Sequence, residues 1–126
     1  TSNFVATLGT SIGMNGCAGV FPAMLGTLVA AAVGIDMNLS FYLMVVVVVT
    51  IGSIGIAGVP GTATVAATVT LNGLGLGSAM SHIGSIFGID PIIDMGRTAL
   101  NVTGSMVSAI VVDSWEDTFD RDKFNE

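Results

Sequence analysis

The sequence predicts an all-α membrane protein made of a broken transmembrane helix, a re-entrant helical hairpin and a kinked last transmembrane helix. Of its 126 residues, 52% are hydrophobic and only 10% are charged, whereas soluble proteins average about 25% charged residues. Residues 1–35 and 37–89 contain no Asp, Glu, Lys or Arg. Both runs exceed the roughly 20 apolar residues that span a bilayer.

Residues 1–33 predict the broken transmembrane helix. The apolar run is interrupted by Gly9, Gly13, Asn15 and Gly16, and a glycine costs roughly 1 kcal/mol against alanine inside a helix. Backbone groups freed by a break are tolerated at membrane depth only where protein or a water-filled cavity satisfies them, so the break indicates a site. Close packing of small residues between helices is the alternative explanation.

After a loop at 34–38, residues 39–72 predict a re-entrant helical hairpin with its tip at 53–61. The glycines and proline of the tip end a helix. An arm of about 15 residues covers about 22 Å, less than the roughly 30 Å hydrocarbon core, which favours a hairpin whose tip lies near mid-membrane. One long spanning helix with a proline kink is the alternative.

A loop at 73–77 precedes the predicted last transmembrane helix, residues 78–112, in which Pro91 predicts a kink. Six of the nine acidic residues lie in the tail, 113–126. The two basic residues of this tail place it on the cytoplasmic side, because membrane orientation follows Lys and Arg. We therefore expect a multi-pass protein of the cell membrane with an acidic cytoplasmic tail.

Several functional classes are disfavoured by the composition. Three cations in the chain cannot form the basic stripe that nucleic-acid binding requires. The single cysteine, Cys17, excludes an intrachain disulfide framework. The chain lacks a nucleophile paired with a base, which would indicate an enzyme, and it lacks a filter motif, which would indicate an ion channel. The chain begins without an initiator Met or a signal peptide, so we expect it to be part of a longer protein.

One stripe carries polar chemistry on the predicted last helix. Asp94, Arg97, Asn101 and Ser105 are spaced by 3, 4 and 4 residues, so they share one helix face within roughly 80°. A charge at the bilayer centre costs about 2.5–3.5 kcal/mol, so the stripe needs partners or a function. A carboxylate, a guanidinium and an amide together match an amino acid with an extra carboxylate. A purely structural Asp94–Arg97 ion pair is the alternative.

Three stretches resemble one family, the dicarboxylate/amino acid:cation symporters, which have the elevator-type glutamate transporter fold. Residues 94–104 (DMGRTALNVTG) resemble its last core helix, 53–61 (SIGIAGVPG) the tip of its second hairpin, and 9–17 (GTSIGMNGC) its unwound seventh helix. Within the family, the chain is most similar to bacterial L-cystine symporters. Three stretches carry this resemblance, namely 15–19 (NGCAG), 22–24 (PAM) and 97–102 (RTALNV).

The resemblance implies an amino-acid substrate, L-cystine, with glutamate or aspartate as the alternative. It also implies a homotrimer in the lipid bilayer, completed by the rest of the parent transporter, and no cofactor. Asp94 would bind the substrate ammonium and Arg97 its distal carboxylate, and Cys17 replaces a substrate-contacting Thr. The full substrate-binding set that the resemblance implies is Cys17, Val59, Asp94, Arg97, Thr98 and Asn101.

The coupling ion is sodium or a proton. The sodium ligands that the resemblance implies are Gly9, Ser11, Gly13, Asn15, Ser53, Ile54, Ile56, Asn101 and Ser105. Where the family has an Asn and two Asp, this chain has Gly13, Asn15 and Ser105. The loss of two carboxylates weakens binding of a hard cation such as sodium. Proton coupling through Asp90 or Asp94 therefore stays open beside sodium coupling.

Overall fold

The computed structural model describes residues 2–59, 61–117 and 120–125. These residues form helices joined by turns and loops, with no strand among them, which confirms the prediction of an all-α protein. The elements are α1 Ser2–Gly9, a π-helical segment Asn15–Val20, α2 Phe21–Val33, α3 Leu39–Ile54, α4 Thr62–Gly73, a 3₁₀ helix Gly77–Ile83, α5 Gly84–Trp115 and α6 Arg121–Phe124.

The first apolar run is helical at both ends and irregular in the middle. After α1 ends at Gly9, residues 10–14 form turns, and regular helix resumes only at Asn15. The stretch Asn15–Val33 has the length and apolar composition needed to cross a membrane, and half of its most apolar window is buried inside the structure. Residues 10–14 therefore separate α1 from the π-helical segment.

The loop after α2 is set by two caps. Gly34 ends α2 in the left-handed conformation, with φ 79°, and its N–H bonds back to Ala30 and Ala31, a conformation that glycine adopts without a steric penalty. The side-chain oxygen of Asn38 accepts from the Phe41 N–H at 2.9 Å and so begins α3. Asn38 is therefore the N-cap residue of α3.

Helices α3 and α4 run antiparallel beside each other. A Cβ added to Gly52 would lie 3.1 Å from Val69, and one added to Gly73 would lie 2.6 Å from Val48. The lower-numbered residue of α3 thus faces the higher-numbered residue of α4, so the two helices run in opposite directions and form a hairpin. Pro60, at the predicted tip, lies outside the described residues, as do Thr1 and the tail residues Thr118, Phe119 and Glu126.

The last helix begins later and ends later than the predicted range 78–112. Residues 77–83 form a 3₁₀ helix, and α5 then runs without interruption from Gly84 to Trp115, with Pro91 inside it. Gly75, with φ 75°, turns the chain before the 3₁₀ helix. The first three residues of the predicted tail continue α5, and α6 lies within the same tail.

The main core lies between the hairpin, α2 and the 3₁₀ helix. Small residues of α4 let its neighbours approach closely, and Ala67 and Leu71 are completely buried. The buried members are Phe21, Leu25, Val29, Ala30, Val45, Val49, Ala63, Ala67, Leu71, Leu74, Leu76, Ala79 and Ile83. Helix α5 contributes none of these buried residues, although its Ile86 and Phe87 pack against them, and it also packs against the π-helical segment and α1.

Candidate functional site

Helix α5 buries polar side chains and exposes apolar ones. Among its described residues the buried ones are Arg97 and Asn101, whereas Ile92 and Met95 are each 75% exposed. A helix of a soluble protein shows the opposite arrangement, with its apolar stripe facing the core. Charges within a membrane helix face the protein interior, so the polarity of α5 fits a helix in lipid whose inner face forms a site.

Arg97 is held by two carboxylates and an aromatic ring. Its Nη2 donates to Asp90 Oδ1 at 2.8 Å and to Asp94 Oδ1 at 3.0 Å. The guanidinium carbon lies 4.2 Å from the centroid of the Phe21 ring, within the range of a cation–π interaction. The predicted Asp94–Arg97 pair is therefore present, but as part of a larger cluster with Asp90 and Phe21.

The guanidinium is only half satisfied. Arg97 is 7% exposed, yet within the described part of the chain its Nε and Nη1 have no hydrogen-bond partner. Buried polar groups without partners are uncommon, because each loses its hydration without compensation. A guanidinium binds the two oxygens of a carboxylate through one edge, formed either by Nε and Nη2 or by Nη1 and Nη2. Both edges of Arg97 include Nη2, which is bound to Asp90 and Asp94, so Arg97 can take a further carboxylate through two donors only if Nη2 is released from one of them.

Asn101 fixes the π-helical segment onto α5. Its Oδ1 accepts from the Gly16 N–H at 2.7 Å, and its Nδ2 donates to the Cys17 sulfur at 3.3 Å. A Cβ at Gly16 would lie 2.7 Å from the Arg97 carbonyl oxygen, so only glycine permits this close approach of the two backbones. The interruption of the first helix therefore places Cys17 directly beside the polar stripe.

A cavity of about 680 Å³ opens between α1, the turns after it, α5 and the connection between α3 and α4. Its volume falls within the usual range of about 300–1,000 Å³ for small-molecule sites. Five of the predicted substrate-binding residues line it, namely Cys17, Val59, Asp94, Thr98 and Asn101. Arg97 is not among the lining residues, since its guanidinium is turned towards Asp90 and Phe21.

The α3–α4 connection reaches the irregular residues of the first segment. The N–H of Gly58 donates to the Thr10 carbonyl at 2.7 Å, and a Cβ at Gly58 would lie 2.7 Å from the same oxygen. The Thr62 hydroxyl accepts from the Val59 N–H at 3.1 Å and donates to the carbonyls of Ala57 and Val59. The connection is thus tied internally by Thr62 and covers one side of the cavity.

The residues predicted as sodium ligands fall into two groups. Gly9, Gly13, Asn101 and Ser105 line the main cavity. Gly9, Gly13 and Ser105 also line a second cavity of about 380 Å³, and Asn15 joins them there. The hydroxyl oxygen of Ser105 lies 2.9 Å from the Cβ position of Gly9 and 3.0 Å from that of Gly13. Gly9, Gly13 and Ser105 therefore lie together where the two cavities adjoin.

The second group lies away from both cavities. Ser11, Ser53, Ile54 and Ile56 line neither of them. The Ser53 hydroxyl donates to the Thr50 carbonyl at 2.8 Å within α3, and Ile54 is 68% exposed while Ile56 is 5% exposed. In this conformation, the structure does not bring the predicted hairpin ligands of sodium to the cavity wall.

Sequence reasoning missed several residues of the site. Phe21 supplies the aromatic face under Arg97, and Thr10 receives the Gly58 N–H. Met14 also lines the cavity, with its sulfur 3.8 Å from Asn101 Nδ2. Each acts through a contact with a distant part of the chain, for which no local spacing is informative. Only the role of Thr62 could have been predicted from the local sequence, since a threonine hydroxyl directly after a turn often bonds to nearby backbone groups.

The chain was compared with known proteins. The model of the sodium:dicarboxylate symporter family matches residues 1–115. The chain is 45% identical over 99% of its length to the L-cystine uptake proteins of Bacillus thuringiensis and Shouchella clausii, of which it covers 27%. It is 54% identical over 89% of its length to an uncharacterized symporter of Haemophilus influenzae, of which it covers 25%. No solved structure matches the chain.

Proposed function

The chain belongs to the sodium:dicarboxylate symporter family, and from this premise we propose that it is the substrate-binding core of a secondary transporter that imports L-cystine. The family consists of membrane transporters and not of enzymes. The chain spans about a quarter of the length of the relatives it matches, so the remaining scaffold, the homotrimer and the elevator movement belong to the same proposal. The named L-cystine uptake relatives support the choice of substrate.

The observation that carries the proposal is the buried Arg97 guanidinium, held against Asp94 of the cavity wall with two of its nitrogens unpartnered. Its Nε and Nη1 are buried and have no partner within the described residues. The Asp94 carboxylate lines the cavity and is half exposed, so it is available to a substrate ammonium. Arg97 offers a cation to a carboxylate, and Asp94 offers an anion to an ammonium, so together they match a zwitterion. A ligand that lacks one of these charges would leave a charged side chain unpaired in a buried site, which is strongly disfavoured.

Binding requires Arg97 to reach the cavity. Its Nη2 is bound to one oxygen of Asp90 and to one oxygen of Asp94. A substrate carboxylate would compete with Asp94 for the guanidinium, which would free Asp94 for the ammonium. L-cystine has a carboxylate at the far end of a longer molecule than glutamate, and a cavity of about 680 Å³ accommodates the extra length. Thr98 and Asn101 on the same wall then offer further hydrogen bonds.

The α3–α4 hairpin is the element we propose to close over the substrate. Helix α3 has 16 residues and α4 has 12, which correspond to about 24 Å and 18 Å, so neither spans a hydrocarbon core of about 30 Å. This supports a re-entrant hairpin with its tip inside the membrane. The contact between Gly58 and Thr10 would then have to open for substrate to enter.

The test is uptake of radiolabelled L-cystine by the full-length parent protein in proteoliposomes. We expect saturable uptake that excess unlabelled L-cystine abolishes and excess L-glutamate or L-aspartate leaves unchanged. Thr103→Ala is a control that should retain uptake, because Thr103 is exposed and, among the described residues, its hydroxyl bonds to the Ala99 carbonyl of its own helix. Uptake of labelled glutamate, with no uptake of cystine, would establish the acidic amino-acid alternative instead.

The coupling ion is tested in the same vesicles. The family name points to sodium, but a hard cation needs oxygen ligands, and the converging group of Gly9, Gly13, Asn15 and Ser105 contains no carboxylate. We propose proton coupling. Uptake should persist when choline replaces sodium and should stop when the pH gradient is collapsed. Uptake that stops without sodium and is indifferent to the pH gradient would show sodium coupling.

A further inference from the structure

Arg97 lies behind the wall of the main cavity and not in it. Asp94 and Asn101, which flank Arg97 on the same face of α5, both line the cavity, whereas Arg97 does not and is 7% exposed. The position of Arg97 on the helix does not exclude it from the cavity, since the neighbours three residues before and four residues after it reach the wall. The direction of the Arg97 side chain excludes it.

The partners of the guanidinium differ in where they lie. Asp90 and Asp94 both line the cavity, and each accepts from Arg97 Nη2, at 2.8 Å and 3.0 Å. Phe21 does not line the cavity, and the centroid of its ring lies 4.2 Å from the guanidinium carbon. Arg97 is thus held by two carboxylates of the cavity wall and by an aromatic ring outside the cavity.

The Phe21 ring is fixed in place by the rest of the fold. It is 7% exposed and belongs to the main core, where close packing leaves little room for a side chain to shift. The Phe21 N–H also donates to the Gly16 carbonyl, and a Cβ at Gly16 would lie 2.7 Å from the Arg97 carbonyl oxygen. The ring therefore cannot follow the guanidinium towards the cavity, and movement of Arg97 in that direction breaks their contact.

We propose that Phe21 is a positioning residue that retains the Arg97 guanidinium outside the cavity and thereby lowers the affinity of the site for carboxylate ligands. The inference rests on the proposed function, in which a substrate carboxylate binds Arg97. Because Arg97 does not line the cavity, such a ligand has to draw the guanidinium off the ring, at the cost of the cation–π contact. When only a fraction of the molecules hold Arg97 in the binding position, the apparent Kd rises by the inverse of that fraction.

Retention of Arg97 distinguishes ligands by their carboxylates. A ligand that offers only an ammonium group can bind Asp94, which lines the cavity and is half exposed, while Arg97 stays on the ring. A ligand with a carboxylate gains the guanidinium but loses the contact between Arg97 and Phe21. Phe21 therefore affects the binding of carboxylate ligands alone, and it does so through Arg97 without touching the ligand.

The test is the Kd of labelled L-cystine for the purified full-length parent protein, with the KM of uptake measured in parallel. Phe21→Leu and Phe21→Met both remove the ring and keep an apolar side chain, and methionine adapts to irregular space in a core. We expect Kd and KM to fall by about 2- to 10-fold in both variants. A residue that only supported the fold would show the opposite sign, because a damaged site binds more weakly.

Two control variants and one control ligand isolate the ring contact. Phe21→Tyr keeps the aromatic face and should keep the Kd of the wild type. Phe41→Leu should also leave Kd unchanged, because Phe41 packs against the same core from α3, where its ring contacts Tyr42. Cystamine, a disulfide with two ammonium groups and no carboxylate, should have the same inhibition constant for wild type and Phe21→Leu. A parallel gain in affinity for cystamine would overturn the inference, since Phe21 would then act on the cavity and not through Arg97.

The outcomes separate the positioning role from the choice of substrate. Binding of L-cystine with a Kd that is equal or higher in Phe21→Leu and Phe21→Met would overturn the positioning role and leave the transport proposal intact. If the wild type binds L-glutamate and not L-cystine, and both variants bind L-glutamate more tightly, the positioning role holds and L-cystine is the wrong substrate. Absence of binding of either amino acid would overturn both, because no carboxylate would then draw Arg97 from the ring.

Discussion

Arg97→Ala should abolish saturable binding of L-cystine, with a rise in Kd of at least about 100-fold, or roughly 3 kcal/mol. The guanidinium supplies the only described cation beside the cavity, and its Nε and Nη1 are the donors left for a carboxylate. The substitution would also leave Asp90 and Asp94 without the cation they share. Binding of labelled L-cystine to the purified full-length protein measures the effect.

Two variants separate the fork geometry of Arg97 from its charge. Arg97→Lys keeps a positive charge but cannot donate in parallel to two carboxylate oxygens, so we expect it to recover only part of the affinity. Arg121→Ala removes a cation from α6, far along the chain from the stripe, and should bind like the wild type. If Arg97→Ala bound L-cystine with unchanged Kd, Arg97 would be a structural partner of Asp90 and Asp94 and not a substrate ligand.

The spacing of the stripe was sufficient to predict one shared face. Helical periodicity fixes which side chains lie together on α5, so the joint burial of Arg97 and Asn101 follows from their separation of four residues. Periodicity also places Asp90 within reach of Arg97, two turns earlier. The local sequence therefore determined the members of the polar face, because those members depend only on helix geometry.

The direction of the guanidinium depended on distant residues. Arg97 points to Phe21, which lies on α2, and no pattern within α5 identifies that partner. The π-helical segment is a similar case. Its last hydrogen bond joins the Phe21 N–H to the carbonyl of Gly16, the residue that contacts the distant helix α5. Such contacts arise only when separate segments pack, so a single sequence contains no periodic indication of them.

The distinction between local sequence pattern and tertiary contact also explains which boundaries of the helices could be predicted. Glycines and the apolar runs predicted a hairpin after the first segment, and α3 and α4 do lie side by side. The 3₁₀ helix at Gly77–Ile83 was not predicted, since its mixture of small, polar and apolar residues differs little from the start of an α-helix. Its Ala79 and Ile83 are buried against the main core, which indicates that tertiary packing, and not local preference, sets this turn.

Gly16→Ala should be the most damaging small substitution in the site. The added Cβ would lie 2.7 Å from the Arg97 carbonyl oxygen and 3.0 Å from the Arg97 Cα, and both are backbone atoms that cannot turn aside. Separation of the π-helical segment from α5 would stretch the bond from the Gly16 N–H to Asn101. We expect a loss of about 1–3 kcal/mol of stability from overpacking and a loss of L-cystine uptake.

Gly19→Ala is the matched control, because it adds the same methyl group to the same π-helical segment. A Cβ at Gly19 meets nothing within 4 Å, so this variant should keep the thermal unfolding midpoint and the uptake of the wild type. The two variants therefore differ in the contact with Arg97 and not in the chemistry of the substitution. Equal uptake and equal unfolding midpoints for Gly16→Ala and Gly19→Ala would show that the segment does not rest on α5 as closely as the structure indicates. A selective loss in Gly16→Ala would instead tie the binding site to the π-helical segment, since that segment approaches the Arg97 backbone at Gly16.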